Sequence, residues 1–181
     1  MTDAPTANAP GEPALAREVI GAATSKIISA MIGDIALVLA RSPAHRHFSF
    51  ADIEWKILPP VLAGQAYIAE AAHKEQGFRV PIAAVTWARV SDEVDARLTA
   101  NAGTSVRLRP DEWTGGPHHW LIDIVGDPRG INIALGTLSH GPFKDRDVKL
   151  VIRDKAGIAN VETLAELARA GKAGAQVEGA T

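Results

Sequence analysis

Two residues in this sequence are of types that could do acid–base chemistry: His45, in a short loop, and Asp123, inside an apolar strand. Histidine titrates near neutral pH and therefore suits proton transfer. A carboxylate in an apolar strand is costly unless ion pairs or hydrogen bonds compensate it. Both residues also have plainer explanations. A loop histidine is more often a surface residue, and an aspartate can simply satisfy local backbone groups.

Positive charge gathers around His45, where Arg41, Arg46, His47 and Lys56 follow one another closely. The whole chain has a formal net charge of -2, which gives no bulk attraction to nucleic acid or anionic membrane. The local cluster is either a solvated charged face or a docking surface for an acidic partner.

Several other chemistries are excluded or weakly supported. The chain has no cysteine, so it lacks disulfides, thiol nucleophiles and thiolate metal ligands. His118 and His119 are neighbours on a predicted strand and point to opposite faces, which argues against a metal site. The loop Gly126–Gly130 precedes a helix and could bind an anion, but it is not a P-loop.

Two helices are expected to hold the loop of His45. Apolar residues at helical spacing predict a long helix from Leu15 to Leu39, ended by Pro43. Its apolar stretch from Ile27 to Ala40 is too short to span a bilayer and predicts a core helix. A second helix is expected to start at Ser49 and to stop at Pro59-Pro60.

The rest of the chain predicts a mixed α/β domain. A hairpin (66–73 and 78–90, with Pro81 at an edge or bulge) is followed by a helix capped by Ser91 and a strand from His118 to Val125. Simple alternation puts His119, Leu121, Asp123 and Val125 on one strand face. A helix, two strands and a last helix follow. We expect one domain over 13–170, with disordered tails at 1–12 and 171–181.

The start of the chain lacks the positively charged region of a signal peptide, which favours a cytoplasmic location.

At this point the motifs resemble a family. The stretch GDIALVLARSPAHRHFSFADIEWKILPPVLAGQAYI resembles the N-terminal half of the RTX toxin-activating lysine acyltransferases. The resemblance continues through VPIAAVTWARVS, DEWTGGPHHWLIDIVGD and DVKLVIRD, over roughly Gly33 to Val161. The SPxHR block and the WxID block are fairly specific together, although neither is decisive alone.

The resemblance implies site residues. It makes His45 and Asp123 the catalytic pair, with Ser42 as a supporting residue. The functional glycine of the family corresponds to Gly116, with Gly115 as the alternative. Arg97 falls near the place of a family tyrosine, and the segment before about Ser25 is longer than usual.

The resemblance also implies a reaction. A fatty acyl chain would pass from the thioester of acyl carrier protein to internal lysines of an RTX protoxin, on a GNAT-like fold that tends to dimerise. No tightly bound cofactor and no metal is implied. Arg41, Arg46 and Lys56 are then candidates for carrier-protein docking. The alternatives are a coenzyme A-dependent acetyltransferase and a non-catalytic partner or chaperone of a secreted RTX protein.

Overall fold

A computed structural model describes residues 12–45, 47–154 and 156–169 of the chain. The predicted tails lie outside these ranges, apart from Glu12. Within the ranges the helices and strands follow one another in the predicted order. They are α1 (Glu12–Arg41), α2 (Leu58–Leu62), β1 (Ala66–Ala72), β2 (Arg79–Val90), α3 (Asp92–Ala100), β3 (His118–Gly126), α4 (Pro128–His140), β4 (Val148–Arg153), β5 (Ala159–Thr163) and α5 (Leu164–Arg169).

The strands form one mixed sheet in the order β1-β2-β3-β4-β5. Neighbouring strands are antiparallel except β3 and β4, which are parallel and joined by the crossover helix α4. The β3–β4 ladder has pairs at His119↔Val148 and Trp120↔Lys149, and the two strands part beyond that point. The prediction of a mixed sheet flanked by helices is therefore confirmed.

Helices cover both faces of the sheet and bury three apolar clusters. Helices α4 and α5 cover one face, where Leu135, Leu138 and Leu167 meet the alternate residues of β2. On the other face, α3 packs beside Trp113 and Trp120. Helices α1 and α2 cover the far end of that same face, over Ala84 and Val125. His45 and Asp123 belong to this second face.

The hairpin of β1 and β2 matches its prediction, including a bulge in the ladder where Glu70 pairs with Pro81. The cap of α3 is also as predicted, because the Ser91 hydroxyl accepts a hydrogen bond from the Val94 amide. Proline disrupts a ladder because it has no amide proton, and serine favours helix starts because its oxygen replaces a missing acceptor.

The predicted strand faces of β3 are wrong from Asp123 onward, because Ile124 lies on the face of Leu121 and Val125 lies on the opposite face. The β2–β3 register shifts between Thr86↔Asp123 and Trp87↔Leu121, so Ile122 is an extra residue opposite β2. Such a bulge reverses the alternation of side chains beyond it. Leu121 consequently packs beneath α4, whereas Asp123 points to the opposite face, toward α1 and α2.

The predicted stop at Pro59-Pro60 is also wrong. A π-helical turn, Ile53–Ile57, runs directly into α2, and both prolines lie in the first turn of α2. Proline is tolerated there because its missing amide proton would have no helical partner at that position.

Helix α1 is longer than predicted. By length and composition alone its stretch Arg17–Arg41 is long and apolar enough to cross a membrane, a test that core helices also pass. Its C-terminal part is a core helix, with Ile35, Val38 and Leu39 buried. Farther toward its N-terminus, Val19 and Ile27 are exposed by 67% and 60%, so the core-helix prediction holds only for the C-terminal part.

Candidate active site

His45 is fixed at the end of a tight turn after α1. The helix ends at Arg41, and a 3-10 turn, Pro43–His45, follows. The His45 amide donates to the Ser42 carbonyl, and the His45 carbonyl accepts from the Phe48 amide. The side chain is only 3% exposed, so the surface explanation of this histidine does not hold. Its Nδ1 lies 3.0 Å from the Ser42 hydroxyl.

Asp123 meets His45 across the covered face of the sheet. The Nε2 of His45 lies 3.9 Å from Oδ1 of Asp123, and both side chains are buried. This distance allows an ion pair when the imidazole is protonated, but it exceeds that of a hydrogen bond. The structure thus brings together the two residues that the sequence proposes as a pair.

A third buried group shares the same carboxylate oxygen. The ammonium of Lys56, from the π-helical turn, lies 3.2 Å from Oδ1 of Asp123. Lys56 is 4% exposed. An ion pair between buried groups offsets part of the desolvation penalty of each, and removing one partner leaves the other charge uncompensated.

Several buried polar atoms around the pair have no hydrogen-bond partner among the described residues. They include Nε2 of His45, Oδ1 of Asp123 and the hydroxyl of Thr86, which stands opposite Asp123 in the ladder. Buried polar groups are normally satisfied, and exceptions gather where a ligand, a substrate or a water completes the arrangement. Two of these atoms, Nε2 of His45 and Oδ1 of Asp123, face each other, which marks the region around them as a candidate site.

Two spaces flank the pair. A cleft of about 340 Å³ opens beside the end of α1, lined by Val38, Arg41, Ser42, Pro43, Ile82, Gly126 and Asp127. On the other side a narrow gap separates Lys56 and Asp123 from the indole rings of Trp55 and Trp113. Ser42 joins the cleft to His45, because it lines the first and is hydrogen-bonded to the second.

Gly116 has a steric reason to be glycine. A Cβ there would lie 2.3 Å from the Val90 carbonyl oxygen and 2.6 Å from the Ser91 backbone. At Gly115 the nearest atom, the Asp111 carbonyl oxygen, would be 3.3 Å away. The close approach presses the segment before β3 against the end of β2. Gly116 thereby holds Trp113, which lines the gap beside Asp123.

The three docking candidates have different positions. Arg41 is exposed, lines the cleft and donates a hydrogen bond to the Pro81 carbonyl. Arg46 lies outside the described residues. Lys56 is buried against Asp123, which corrects its assignment to a docking surface: an ammonium enclosed in the domain cannot meet a partner's acidic face.

Arg97, which stands near the place of the family tyrosine, has a structural contact. Its guanidinium donates two hydrogen bonds, of 3.0 and 2.7 Å, to the carboxylate of Glu112. These bonds hold the pKa of the Glu112 carboxyl below its usual value, against the raising effect of burial. The pair ties α3 to the turn that carries Trp113.

His118 and His119 point to opposite faces, as alternation predicts. His118 pairs with Asp92, whereas His119 packs edge-on to Phe143 beneath α4. Burial, reinforced by the nearby Arg146, lowers the pKa of His119. Neither histidine belongs to the site of His45.

Sequence reasoning assigned Lys56 to a docking surface and not to the buried site, and it did not identify Thr86. Lys56 stands three residues after Ile53 and one before Ile57, at a spacing that places it on the apolar side of its helix. Thr86 is the polar residue in the apolar run IAAVTW of β2. Both signals were present, but a lysine is seldom fully buried and its partner was not identifiable from the sequence.

The fold and site define a class: a mixed α/β domain with a buried histidine–aspartate pair suited to moving a proton. The family model of the RTX toxin acyltransferases matches residues 25–165. The chain belongs to this family, and the predicted resemblance is confirmed.

Individual relatives agree with the family assignment. The chain is 30% identical over 95 residues to an RTX-II toxin-activating lysine acyltransferase of Actinobacillus pleuropneumoniae, covering 52% of this chain and 54% of the relative. It is 31% identical over 105 residues to a leukotoxin-activating lysine acyltransferase of Aggregatibacter actinomycetemcomitans, covering 58% and 56%. It is 29% identical over 123 residues to a protein-lysine myristoyltransferase of Escherichia coli, covering 68% and 64%. The chain thus spans about half the length of the first two.

Proposed function

We propose that the protein is a protein-lysine acyltransferase that moves a fatty acyl chain from a thioester donor to lysine side chains of an RTX protoxin. The observation that carries the proposal is the buried pair of His45 and Asp123, with 3.9 Å between Nε2 and Oδ1. Membership of the RTX toxin acyltransferase family supplies the reaction class. The relatives' names, toxin-activating lysine acyltransferases, supply the substrate class.

The proton moves through His45. The acceptor lysine first gives one proton to solvent, because only the neutral amine attacks a carbonyl. As its nitrogen forms the C–N bond, Nε2 of His45 takes a second proton. The C–S bond then breaks, and the same proton passes to the departing thiolate. One amide and one thiol result, and His45 returns to its starting state.

Ser42 and Asp123 have separate tasks in this scheme. The scheme assigns the tautomer in which Nδ1 of His45 donates to the Ser42 hydroxyl, 3.0 Å away, so that the lone pair of Nε2 can act as the base. Asp123 stabilises the positive charge on the ring after the proton arrives. Because Nε2 is buried, the segment around His45 has to open for the acceptor lysine.

The donor is acyl carrier protein, which presents the acyl group on phosphopantetheine, with no tightly bound cofactor. The cleft beside Ser42 offers a route for the thioester, and exposed Arg41 on its wall suits an acidic carrier. The parting of β3 from β4 is in keeping with a GNAT-like domain.

The proposed partners are acyl carrier protein, the protoxin and a second copy of the chain, with the reaction in the cytoplasm. The exposed apolar residues of α1, among them Val19, Ile20 and Ile27, favour a homodimer because water is a poor environment for them. The molecular mass in solution tests the dimer directly.

Mass spectrometry of an RTX protein, co-expressed with and without this chain, tests the function. We expect lysines to gain the mass of a fatty acyl group only with the active chain. His47→Ala is the matched control, because His47 is an exposed histidine two residues from His45. Unmodified lysines, or modification that persists in His45→Ala, would contradict the proposal. Acylated acyl carrier protein and acyl-coenzyme A are compared as donors in purified reactions. Activity with acyl-coenzyme A but not with the acylated carrier protein would reject the carrier-protein donor.

A further inference from the structure

We propose that Lys56 is a positioning residue of acyl transfer, acting through Asp123; this inference rests on the proposed function of the His45–Asp123 pair. Lys56 and His45 approach the same carboxylate oxygen, at 3.2 and 3.9 Å. All three side chains are at least nine-tenths buried. The three residues lie on three different secondary-structure elements, so the fold has to bring them together.

The ammonium of Lys56 compensates a charge that His45 alone cannot compensate. A neutral imidazole offers no positive charge to Asp123, and the base has to be neutral before the reaction. Without Lys56, the buried carboxylate would face only that neutral ring. Desolvation strongly disfavours such an isolated anion. Lys56 offsets this penalty and holds the Asp123 carboxylate in place beside His45.

The position of Lys56 on a π-helical turn supports its assignment as a positioning residue. The turn Ile53–Ile57 is wider than an α-helix, and such turns are frequent at functional sites. Ile57, directly after Lys56, and Val61 of α2 pack in the apolar cluster that α2 shares with α1 and the sheet. The ammonium is thus held by a backbone that is fixed on its C-terminal side.

A purely structural ion pair would predict a different result from a positioning role. The domain contains a suitable comparison in Lys149, whose ammonium lies 2.9 Å from both carboxylate oxygens of Asp95, away from the site. Loss of either lysine affects stability. Only loss of Lys56 should alter the chemical step, because its partner carboxylate, that of Asp123, faces His45. The partner of Lys149 does not.

The test is a double-mutant cycle in the rate of acyl transfer. The variants are Lys56→Met, Asp123→Asn and the two combined, with Lys149→Met as the matched control. Rates are measured with saturating acyl carrier protein donor and protoxin acceptor, at a temperature where circular dichroism shows each variant folded. The combined variant has no unpaired buried charge, so it keeps the experiment informative if Lys56→Met alone fails to fold.

We expect Lys56→Met to lower kcat at least about tenfold with little change in the KM of the donor. In the Asp123→Asn background, the same change should lower kcat less than about twofold, because the residue acts through the carboxylate. The proposal would be overturned if Lys56→Met lowered kcat by the same factor in the unmutated protein and in Asp123→Asn, or if it left kcat unchanged. A raised donor KM with unchanged kcat would also overturn it, because Lys56 would then affect donor binding and not the chemical step. Full activity of Asp123→Asn would instead contradict the proposed function itself.

Discussion

Asp123 stands opposite Thr86 at the bulge of the β2–β3 ladder, and this register turns its carboxylate toward His45. The extra residue, Ile122, lies just before it. In a regular ladder the same carboxylate would point beneath α4, among the apolar side chains there. The bulge is therefore a structural requirement of the site, in line with the tendency of bulges to lie beside active sites.

Replacement of His45 by alanine should abolish most acyl transfer while the protein stays folded. The turn is held by backbone hydrogen bonds at Ser42 and Phe48, which do not depend on the imidazole. Loss of a general base lowers a rate by roughly a hundred- to ten-thousand-fold. Initial rates of protoxin acylation measure the effect, and an unchanged rate would reject His45 as the base.

A labelled acyl donor distinguishes direct transfer from a covalent route. Acyl label that stays on the unmutated protein without an acceptor would indicate a covalent acyl-histidine intermediate, whereas direct transfer predicts no such label.

Replacement of Asp123 by asparagine should lower both stability and activity, and the two effects can be separated. The variant leaves the Lys56 ammonium buried without an anion, which costs roughly 3–5 kcal/mol. The combined Lys56→Met and Asp123→Asn variant should recover much of that stability without recovering activity. Chemical denaturation and initial rates provide the two readings. Recovery of activity together with stability would show that Asp123 is structural.

Replacement of Gly116 by alanine should destabilise the domain by roughly 1–3 kcal/mol, because the added methyl group meets the Val90 carbonyl. The neighbouring Gly115→Ala is the matched control, and it should have a much smaller effect. Thermal unfolding compares the two. Equal melting temperatures for both variants would contradict the close approach.

Stability at acid pH should depend on Glu112. The hydrogen bonds from Arg97 hold its pKa below the ordinary value of 4.5, even though burial raises it. A carboxyl group whose pKa is lowered by folding stabilises the fold at pH values above its ordinary pKa. This stabilisation is lost as the pH falls through the lowered pKa.

Glu112→Gln should therefore be less stable near neutral pH, by roughly 1.5–3 kcal/mol, and should lose less stability on acidification. Asp111→Asn, at an exposed neighbouring carboxylate, is the control. Unfolding free energies from neutral pH to about pH 3 test the prediction. Parallel curves of unfolding free energy against pH for Glu112→Gln and the unmutated protein would argue against the prediction.

Binding of acyl carrier protein should depend on Arg41 and on salt. Carrier proteins are acidic, and exposed charge pairs weaken as salt screens them. Arg41→Glu should raise the dissociation constant of holo acyl carrier protein several-fold, whereas Lys26→Glu, at an exposed lysine elsewhere on α1, should have little effect. Calorimetric titrations at low and high salt measure this. Equal affinity for both variants, or affinity independent of salt, would exclude Arg41 from the docking surface.

The sequence by itself determined the order of the helices and strands and the motif residues of this protein. Helix caps such as Ser91, the bulge-forming Pro81 and the spacing of apolar residues act over a few positions, so they can be read locally. The site residues His45 and Asp123 were identifiable from their residue types, their surroundings and their motifs.

Only the tertiary structure decided which way Asp123 faces and which groups meet it. The face depends on a register shift between β2 and β3, and a single strand's sequence does not contain its partner's register. Lys56 is charged, and lysine is seldom fully buried, so its residue type predicts an exposed group. It is buried because α2 continues from its turn and packs on the sheet, which brings its ammonium to the one carboxylate that can compensate it.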